Sequence, residues 1–417
     1  MKKSKILINS FIATVVIIFL SEWIQSLEIL TFPPGFRHVA MFVLFFMNWL
    51  LLGKGLNLDL KYKKYIFGLS IFLVISLLYA VSGFFNFFLG LVFTFVFVIL
   101  FILGSNIKTS RNTLLSLLKA LLTFITLTSV YSIFEGLIKG ISLREGVTLF
   151  REVGALGTMM NIGVIIALSL YVVTKNQKKF FYYALFLSLG VLLTILKKTI
   201  ISNLIVWTFY FIYESNVKSR FKIIFFSIFV VFAGFLVIGE KFEEDIDKNL
   251  SYLNDVGSED HVRLGMYYAS YNVARDYFPF GSGLGSFASL SSITGGYSKL
   301  HYDYNVAYIG YNGPEHVSSG RHTLLDTFWP HIIAELGVLG SILYLFLWFF
   351  PVKKPFKLIR KTKDNFLKGI SFLIILINFT MFWEGFTLYT PEIPGFVLIH
   401  SGLVGLCYFH LKQKYII

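Results

Sequence analysis

The stretch "HTLLDTFWPHIIAELGVLG", residues 322–340, places four ionisable side chains where an apolar helix begins. They are His322, Asp326, His331 and Glu335. Pro330 suits the first turn of a helix, where the N–H that it lacks would have no intrahelical partner anyway. The sequence therefore predicts a helix that starts near Trp329, with His322 and Asp326 at its mouth and Glu335 more than one turn inside. Ionisable groups at membrane depth are costly and usually face a cavity or a partner. Two interpretations stay open: His331 and Glu335 form a structural pair, or the four groups mark a functional site.

Composition sets the class of the protein. The chain has 417 residues, of which 56% are hydrophobic and 14% are charged, and its mean hydropathy is +0.72. A polytopic membrane protein needs this much apolar surface, because every span must be apolar along its length. The single cysteine, Cys407, excludes an internal disulfide framework and any multi-cysteine metal site.

Apolar windows of about 17–25 residues predict an all-α protein with about twelve transmembrane helices. The predicted spans begin near Ile6, Val39, Tyr65, Phe84, Leu115, Leu156, Phe180, Thr199, Ile223, Thr327, Leu367 and Gly395. Alternate loops are rich in lysine and arginine and nearly free of acid, which places them and both termini in the cytoplasm. The formal charge of +14 is therefore a topology signal rather than a sign of nucleic-acid binding. The basic N-terminus lacks a small-residue cleavage site, so we expect a retained first span and no removed signal peptide.

This topology divides the chain into three parts. Residues 1–240 carry spans one to nine, residues 241–325 form a large extracytoplasmic loop, and residues 326–417 carry spans ten to twelve. The loop is too long and too polar for a simple connection, so we expect it to carry function. Its residues 259–278 read as a helix that ends before Pro279, and the glycine-rich "GSGLGSF" (281–287) follows. A nucleotide-binding loop is one interpretation of these glycines, although no strand precedes them. A turn that brings the backbone close to a ligand or a helix is the other.

Basic side chains on the extracytoplasmic side are the other candidates. Arg263 and Arg275 lie on the loop helix about 18 Å apart at helical rise, and Arg275 stands beside Asp276, so a solvated helix face is the alternative for it. Lys197 and Lys198 lie between the seventh and eighth predicted spans. They are either a snorkelling pair or an anion site at the membrane surface. Arg151 and Glu152 lie just outside the sixth span, where Arg151 either pairs with Glu152 or does more.

Together these features resemble the O-antigen polymerase and ligase superfamily. The family has an arginine-bearing loop helix, a Pro–x–Gly–x–Gly–x–Gly-like turn, then a polar residue and "AELGLLG" at the start of a span. Here they read "VRLGMYYASYNVARDYFPFGSGLGSF" (262–287) and "DTFWPHIIAELGVLGSILY" (326–344). The family's upstream Arg–Gly–Asn stretch resembles Arg151, Gly154 and Asn161, and Lys198 stands where the family has an arginine. Ligases usually have His–Asn where this chain has Asp326 and Thr327, which favours a polymerase, although His322 could substitute spatially.

The resemblance implies a GT-C-like fold in the bacterial inner membrane and glycosyl transfer on its outer face. The donor would be a glycan on undecaprenyl diphosphate, and the acceptor a hydroxyl of the next lipid-linked repeat unit. The roles implied are diphosphate binding by Arg263, Lys198, Arg151 and Arg275, and catalysis by Asp326, His322 and Glu335. No metal or other cofactor is implied, because the basic side chains could neutralise the leaving group. The lipid bilayer, the lipid-linked repeat units and a chain-length regulator protein would be the partners.

Two other functions compete with the polymerase. An O-antigen ligase would transfer the glycan to lipid A-core with much the same architecture. A polysaccharide flippase would bury charges inside several spans and would lack a large external domain. Here charge within the spans is sparse, and polar groups cluster at the predicted outer ends, which favours the enzyme. A deletion strain separates polymerase from ligase by its surface glycan.

Overall fold

The computed structural model describes residues 2–26, 36–52, 59–139, 153–174, 177–194, 196–214, 262–308, 313 and 327–414, and these residues form helices and no β-strand. The first eight helices are α1 (Lys2–Ser26), α2 (Phe36–Leu52), α3 (Leu60–Leu78), α4 (Phe84–Gly104), α5 (Arg111–Lys139), α6 (Val153–Val173), α7 (Lys178–Leu193) and α8 (Lys197–Glu214). The predicted loop contributes α9 (Val262–Asp276), α10 (Leu290–Thr294) and α11 (Leu300–Asp303). The remaining helices are α12 (Trp329–Phe349), α13 (Lys353–Lys361), α14 (Asn365–Glu384) and α15, which runs from Pro394–Val397 through a π-helical Leu398–Leu403 to Val404–Lys414.

Six helices in the described ranges are long and apolar enough to cross a membrane. They are Phe84–Gly104, Arg111–Gly136, Gly154–Val173, Trp329–Lys361, Asn365–Glu384 and Pro394–Lys412. The other predicted spans fall on helices as well, except the ninth, which begins near Ile223 and lies outside the described residues. The described part of the chain is thus all-helical with several membrane-type helices, and the full set of twelve spans stays a prediction.

The narrowest predicted gaps between spans are genuine helix breaks. Helix α3 ends at Leu78 and α4 begins at Phe84, so that the break comprises residues 79–83 and the "SGFF" sequence (82–85) runs from it into α4. Helix α7 ends at Leu193 and α8 begins at Lys197, where the lysine pair falls. Both predicted boundaries are confirmed, and each break turns out to hold part of the candidate site.

Helix α6 lies deep in the bundle. Of its apolar window, 89% is buried inside the protein, against 50% for the window on α5. It packs against α5, α7, α8 and α14. The amide of Asn161 on α6 donates to the carbonyl of Thr199 over 2.9 Å and accepts from Asn203 over 2.9 Å. These bonds hold the N-terminal part of α6 beside the first turn of α8.

Polar pairs tie helix ends together at the pole of the bundle that the sequence assigns to the cytoplasm. Lys354 lies 3.0 Å from Asp59, and Arg111 lies 2.8 Å from Asp364. The ammonium of Lys412 donates to the hydroxyl of Ser105 over 3.4 Å. The loop helix α9, by contrast, packs against α12, whose N-terminus lies at the opposite pole.

Candidate functional site

The glycine turn, residues 281–287, is a buried element with three left-handed glycines. Gly281, Gly283 and Gly285 have φ angles of 73°, 91° and 73°. A Cβ on Gly285 would overlap the backbone of Asn86, and one on Gly283 would lie 2.6 Å from the Cβ of Ala80. Glycine is required here because no side chain fits and because L-residues rarely adopt these angles.

Helix α12 receives the turn at a kink. Gly337 has a φ of 60° inside the helix, and its N–H lies against Gly281. The N–H groups of Ser282 and Gly283 donate to the carbonyls of Ala334 and Glu335, each over 3.0 Å. These N–H groups therefore bind a helix rather than a phosphate. The prediction that the turn approaches a helix closely is confirmed, and the nucleotide-loop alternative loses its donors.

The α3–α4 break holds the other side of the glycine turn. The N–H of Val81 donates to the carbonyl of Ser282 over 2.9 Å, and the Ser82 hydroxyl donates to the carbonyl of Leu284 over 2.7 Å. The α3–α4 break thus provides a backbone N–H and a hydroxyl group that bind the glycine turn. Helices α3, α4 and α12 are joined through it.

Glu335 binds the end of the same turn. Its side chain is fully buried, and its Oε1 accepts from the N–H of Phe287 over 3.0 Å and from the Ser289 hydroxyl over 2.8 Å. The sequence left open a structural pair between His331 and Glu335, but the hydrogen bonds of Glu335 go to the glycine turn and the following segment. Nε2 of His331 lies 3.2 Å from Oε1 of Glu392 instead. These contacts give Glu335 a structural role, that of fixing the glycine turn on α12.

Beyond the glycine turn, His301 fixes the following segment. The N–H of Ala288, whose φ is 48°, donates to Nε2 of His301 over 3.1 Å, and the ring of Tyr297 stacks on the imidazole at 4.2 Å between centroids. Burial lowers the pKa of His301 to about 4. The imidazole is therefore neutral at physiological pH and can accept the Ala288 hydrogen bond.

Lys198 lies in the first turn of α8, just after the α7–α8 break, and forms an ion pair that the sequence did not predict. Its Nζ lies 3.7 Å from Oε2 of Glu384 and donates to the carbonyl of Thr387 over 3.4 Å. The Lys198 side chain is 16% exposed, whereas Glu384 is fully buried. Lys198 is therefore the more accessible member of the pair. A Cβ on Gly154 would lie 3.4 Å from the same Nζ, so the N-terminus of α6 borders it.

The turn at residues 384–388, which we call the 384–388 turn, is where separate segments meet. The N–H of Phe328 donates to the carbonyl of Gly385 over 2.9 Å, and the Tyr267 hydroxyl donates to the carbonyl of Phe386 over 3.2 Å. Lys198 binds it from a third side, as described above. The side chain of Leu388 lies 3.6 Å from a Cβ placed on Gly154. The turn thus joins α6, α8, α9 and the start of α12.

Two buried hydroxyls at this junction have no hydrogen-bond partner within the described ranges. They are Oγ1 of Thr387, in the 384–388 turn, and Oγ1 of Thr327, beside Phe328. A buried hydroxyl without a partner costs free energy. The hydrogen-bonding capacity of both hydroxyls is thus not used by the described residues.

The predicted arginines differ in their surroundings. Arg263 is exposed on α9, one turn before Tyr267, and its charge acts on the Tyr267 phenol. Burial raises the pKa of Tyr267, and Arg263 opposes this shift. Arg275 is 61% exposed at the other end of α9 and donates to Asp276 over 3.0 Å. Its pKa is raised, first by that hydrogen bond. The structure therefore places Tyr267 at the 384–388 turn, with Arg263 exposed one helical turn away, and it leaves Arg275 in a surface pair.

Three predicted site residues, Arg151, His322 and Asp326, lie outside the described residues. Glu384, Thr387 and Tyr267 are site residues that the sequence analysis missed. Glu384 did carry a signal, since it is a lone acid at the end of an apolar run, as Glu335 is at the start of one. Within the described ranges, no group of three or more His, Cys, Asp and Glu side chains could hold a metal ion.

Neither a scan against protein-family models nor a search of curated proteins finds a match for this chain. The functional proposal therefore rests on the geometry of the junction at the 384–388 turn.

Proposed function

We propose that this protein is a polysaccharide polymerase of the O-antigen or capsule type, in the inner membrane of a bacterium with both termini cytoplasmic. It would transfer a growing glycan from undecaprenyl diphosphate to the next lipid-linked repeat unit on the outer face. One observation carries the proposal. The segments that the resemblance singled out are far apart in the sequence, yet Gly154, Lys198 and the Arg263–Tyr267 turn meet at the 384–388 turn.

The chemistry follows from the charges at this junction. An acceptor hydroxyl oxygen attacks the anomeric carbon of the donor glycan while the bond from that carbon to the diphosphate oxygen breaks. Negative charge builds on the leaving diphosphate, and Lys198 and Arg263 are the described cations that can neutralise it, with Arg151 as a third. The proton of the acceptor hydroxyl passes to Asp326 or His322 as base. Glu335 acts as a positioning residue because it holds the glycine turn below the loop helix.

Gene deletion in the source bacterium tests the proposal at the level of the product. A polymerase deletion leaves surface glycan with a single repeat unit, which gel analysis resolves as one short band. Bare lipid A-core with accumulated lipid-linked polymer would indicate a ligase and overturn the proposal. Complementation with the wild-type chain should restore the ladder.

Reporter fusions test the proposed topology. Fusions after Lys179 and after Lys363 should report a cytoplasmic location, and a fusion near Gly296 an extracytoplasmic one. The basic loops on one side and the polar loop on the other are the reason for this expectation. An extracytoplasmic signal after Lys363 would contradict the twelve-span arrangement.

A further inference from the structure

The Lys198–Glu384 pair has an arrangement that a simple anion site would not need. Glu384 is fully buried behind the ammonium, at 3.7 Å, and Lys198 alone is partly accessible. This distance makes the contact an ion pair rather than a hydrogen bond. The cation that a ligand would meet is thus already partly neutralised by a resident carboxylate.

We propose that Glu384 is a specificity-determining residue: its carboxylate competes with incoming anions for Lys198, so that only multiply charged groups such as a diphosphate bind well. This inference rests on the proposed function for the identity of the natural anion, a lipid-linked diphosphate. The shared chemistry is a phosphate-bearing group, which a surrounding phospholipid headgroup also offers. The Lys198–Glu384 pair distinguishes the diphosphate from the phospholipid headgroup because the two carry different charges.

The physical reason is the balance of charges at a buried site. An anion that binds Lys198 draws the ammonium from Glu384 and adds negative charge beside a carboxylate that has no access to water. A singly charged headgroup is attracted by the Lys198 ammonium and repelled by the Glu384 carboxylate to a similar extent. A diphosphate carries more charge and more acceptor oxygens, so it gains more from the ammonium than it loses to the carboxylate. The carboxylate therefore weakens binding of every anion but weakens that of monoanions most.

Titration calorimetry on the full chain in an uncharged detergent tests this inference, with inorganic pyrophosphate and dihexanoyl phosphatidylglycerol as the probes. Glu384→Gln should bind pyrophosphate about tenfold tighter than wild type, and its preference for pyrophosphate over the phospholipid should shrink. Lys198→Gln should bind pyrophosphate about tenfold more weakly or worse. A structural role alone would weaken binding in both variants.

The chain offers matched controls for both changes. Lys179→Gln removes an exposed charge at the far end of helix α7, and Asp303→Asn neutralises an exposed carboxylate that pairs with Lys299. Both controls should bind as wild type does. If Glu384→Gln does not fold, Glu384→Asp withdraws the carboxylate by one methylene and should give a smaller tightening.

Equal or weaker pyrophosphate binding by the folded glutamine variant, or by the aspartate variant in its place, would overturn the inference. The measurement uses no sugar, so it is independent of glycosyl transfer. Tighter binding by Glu384→Gln in a protein that makes no polymer would keep the inference on Glu384 and reject the polymerase.

Discussion

Glu335 and Glu384 are two fully buried glutamates at the ends of neighbouring apolar helices, and they are held in different ways. Glu335 accepts two short hydrogen bonds from Phe287 and Ser289, which are parts of the fold itself. Glu384 faces the ammonium of Lys198, a side chain that solvent can reach. Burial alone therefore does not identify a functional carboxylate. The group that binds the carboxylate distinguishes the two roles. A carboxylate that accepts hydrogen bonds from the fold stabilises the structure, whereas one that pairs with an accessible cation can give up that cation to a ligand.

The glycine contact beneath Glu335 should give the largest effect on stability. Gly337→Ala would place a Cβ against the N–H of Gly281 and 2.7 Å from the carbonyl oxygen of Pro279, at a φ that alanine rarely adopts. Backbone strain and overpacking together predict a loss of about 2–5 kcal/mol. Thermal unfolding of the purified protein measures this loss.

Gly68→Ala is the matched control for that change. A Cβ on Gly68, inside helix α3, meets no atom within 4 Å, so alanine should leave stability unchanged or raise it slightly. Equal melting temperatures for Gly337→Ala and Gly68→Ala would show that the glycine turn does not require its close contact with α12.

A pair of alanine variants tests the comparison of the two glutamates directly. Glu335→Ala leaves the N–H of Phe287 buried without its acceptor, at roughly 1–3 kcal/mol, and it also removes the hydrogen bond from the Ser289 hydroxyl. Glu384→Ala leaves behind an ammonium that water can reach, so its loss should be smaller. Chemical or thermal unfolding of both variants in the same detergent gives the difference. A larger loss for Glu384→Ala would reverse the assignment of structural and functional roles.

Asp326 is expected to affect chemistry without affecting folding. Asp326→Asn removes the proposed base and keeps the size of the side chain, so polymer formation should fall strongly at unchanged membrane levels, and His322→Ala should have a smaller effect. Immunoblots of membranes and gels of the glycan product measure the two quantities. Full activity of the asparagine variant would mean that the acceptor hydroxyl is activated elsewhere or needs no formal base.

Arg275 should give the smallest effect of all. It lies in an exposed pair with Asp276, and Tyr304 donates to the same aspartate over 2.8 Å. Exposed ion pairs of this kind contribute little to the free energy of unfolding. Arg275→Ala should therefore retain the polymer yield and the melting temperature of wild type in parallel measurements. A strong loss of polymer by this variant would restore Arg275 to the diphosphate site.

Local features of this molecule could be predicted from its sequence, and the pairing of distant ones could not. The start of α12 at Trp329 followed from Pro330 and the apolar run, and the helix breaks followed from short polar gaps. The close approach of the glycine turn to a helix followed from glycine chemistry. That the helix is kinked at Gly337, and that Glu335 binds Phe287, required the packed structure.

The ion pair at the site shows the same limit. Lys198 was a candidate from its position alone, but its partner Glu384 lies on α14, far along the chain, and no local pattern joins them. His331 likewise pairs with Glu392 rather than with the nearby Glu335. Pairings of this kind depend on which helix ends share a pole of the bundle, and hydrophobic periodicity does not specify this.

Polymer formation by the purified protein tests the central claim most directly, with lipid-linked repeat units as both donor and acceptor. Wild type should produce a ladder of lengthened glycans and release lipid diphosphate. Arg263→Ala should lose about ten- to a hundredfold of this activity, since a hydrogen bond to a charged group contributes roughly 1.5–3 kcal/mol. Arg263→Lys should recover only part of it, because an ammonium cannot hold two diphosphate oxygens in the manner of a guanidinium. Wild-type protein that binds the repeat units but makes no polymer, or an alanine variant that makes as much as wild type, would contradict the account.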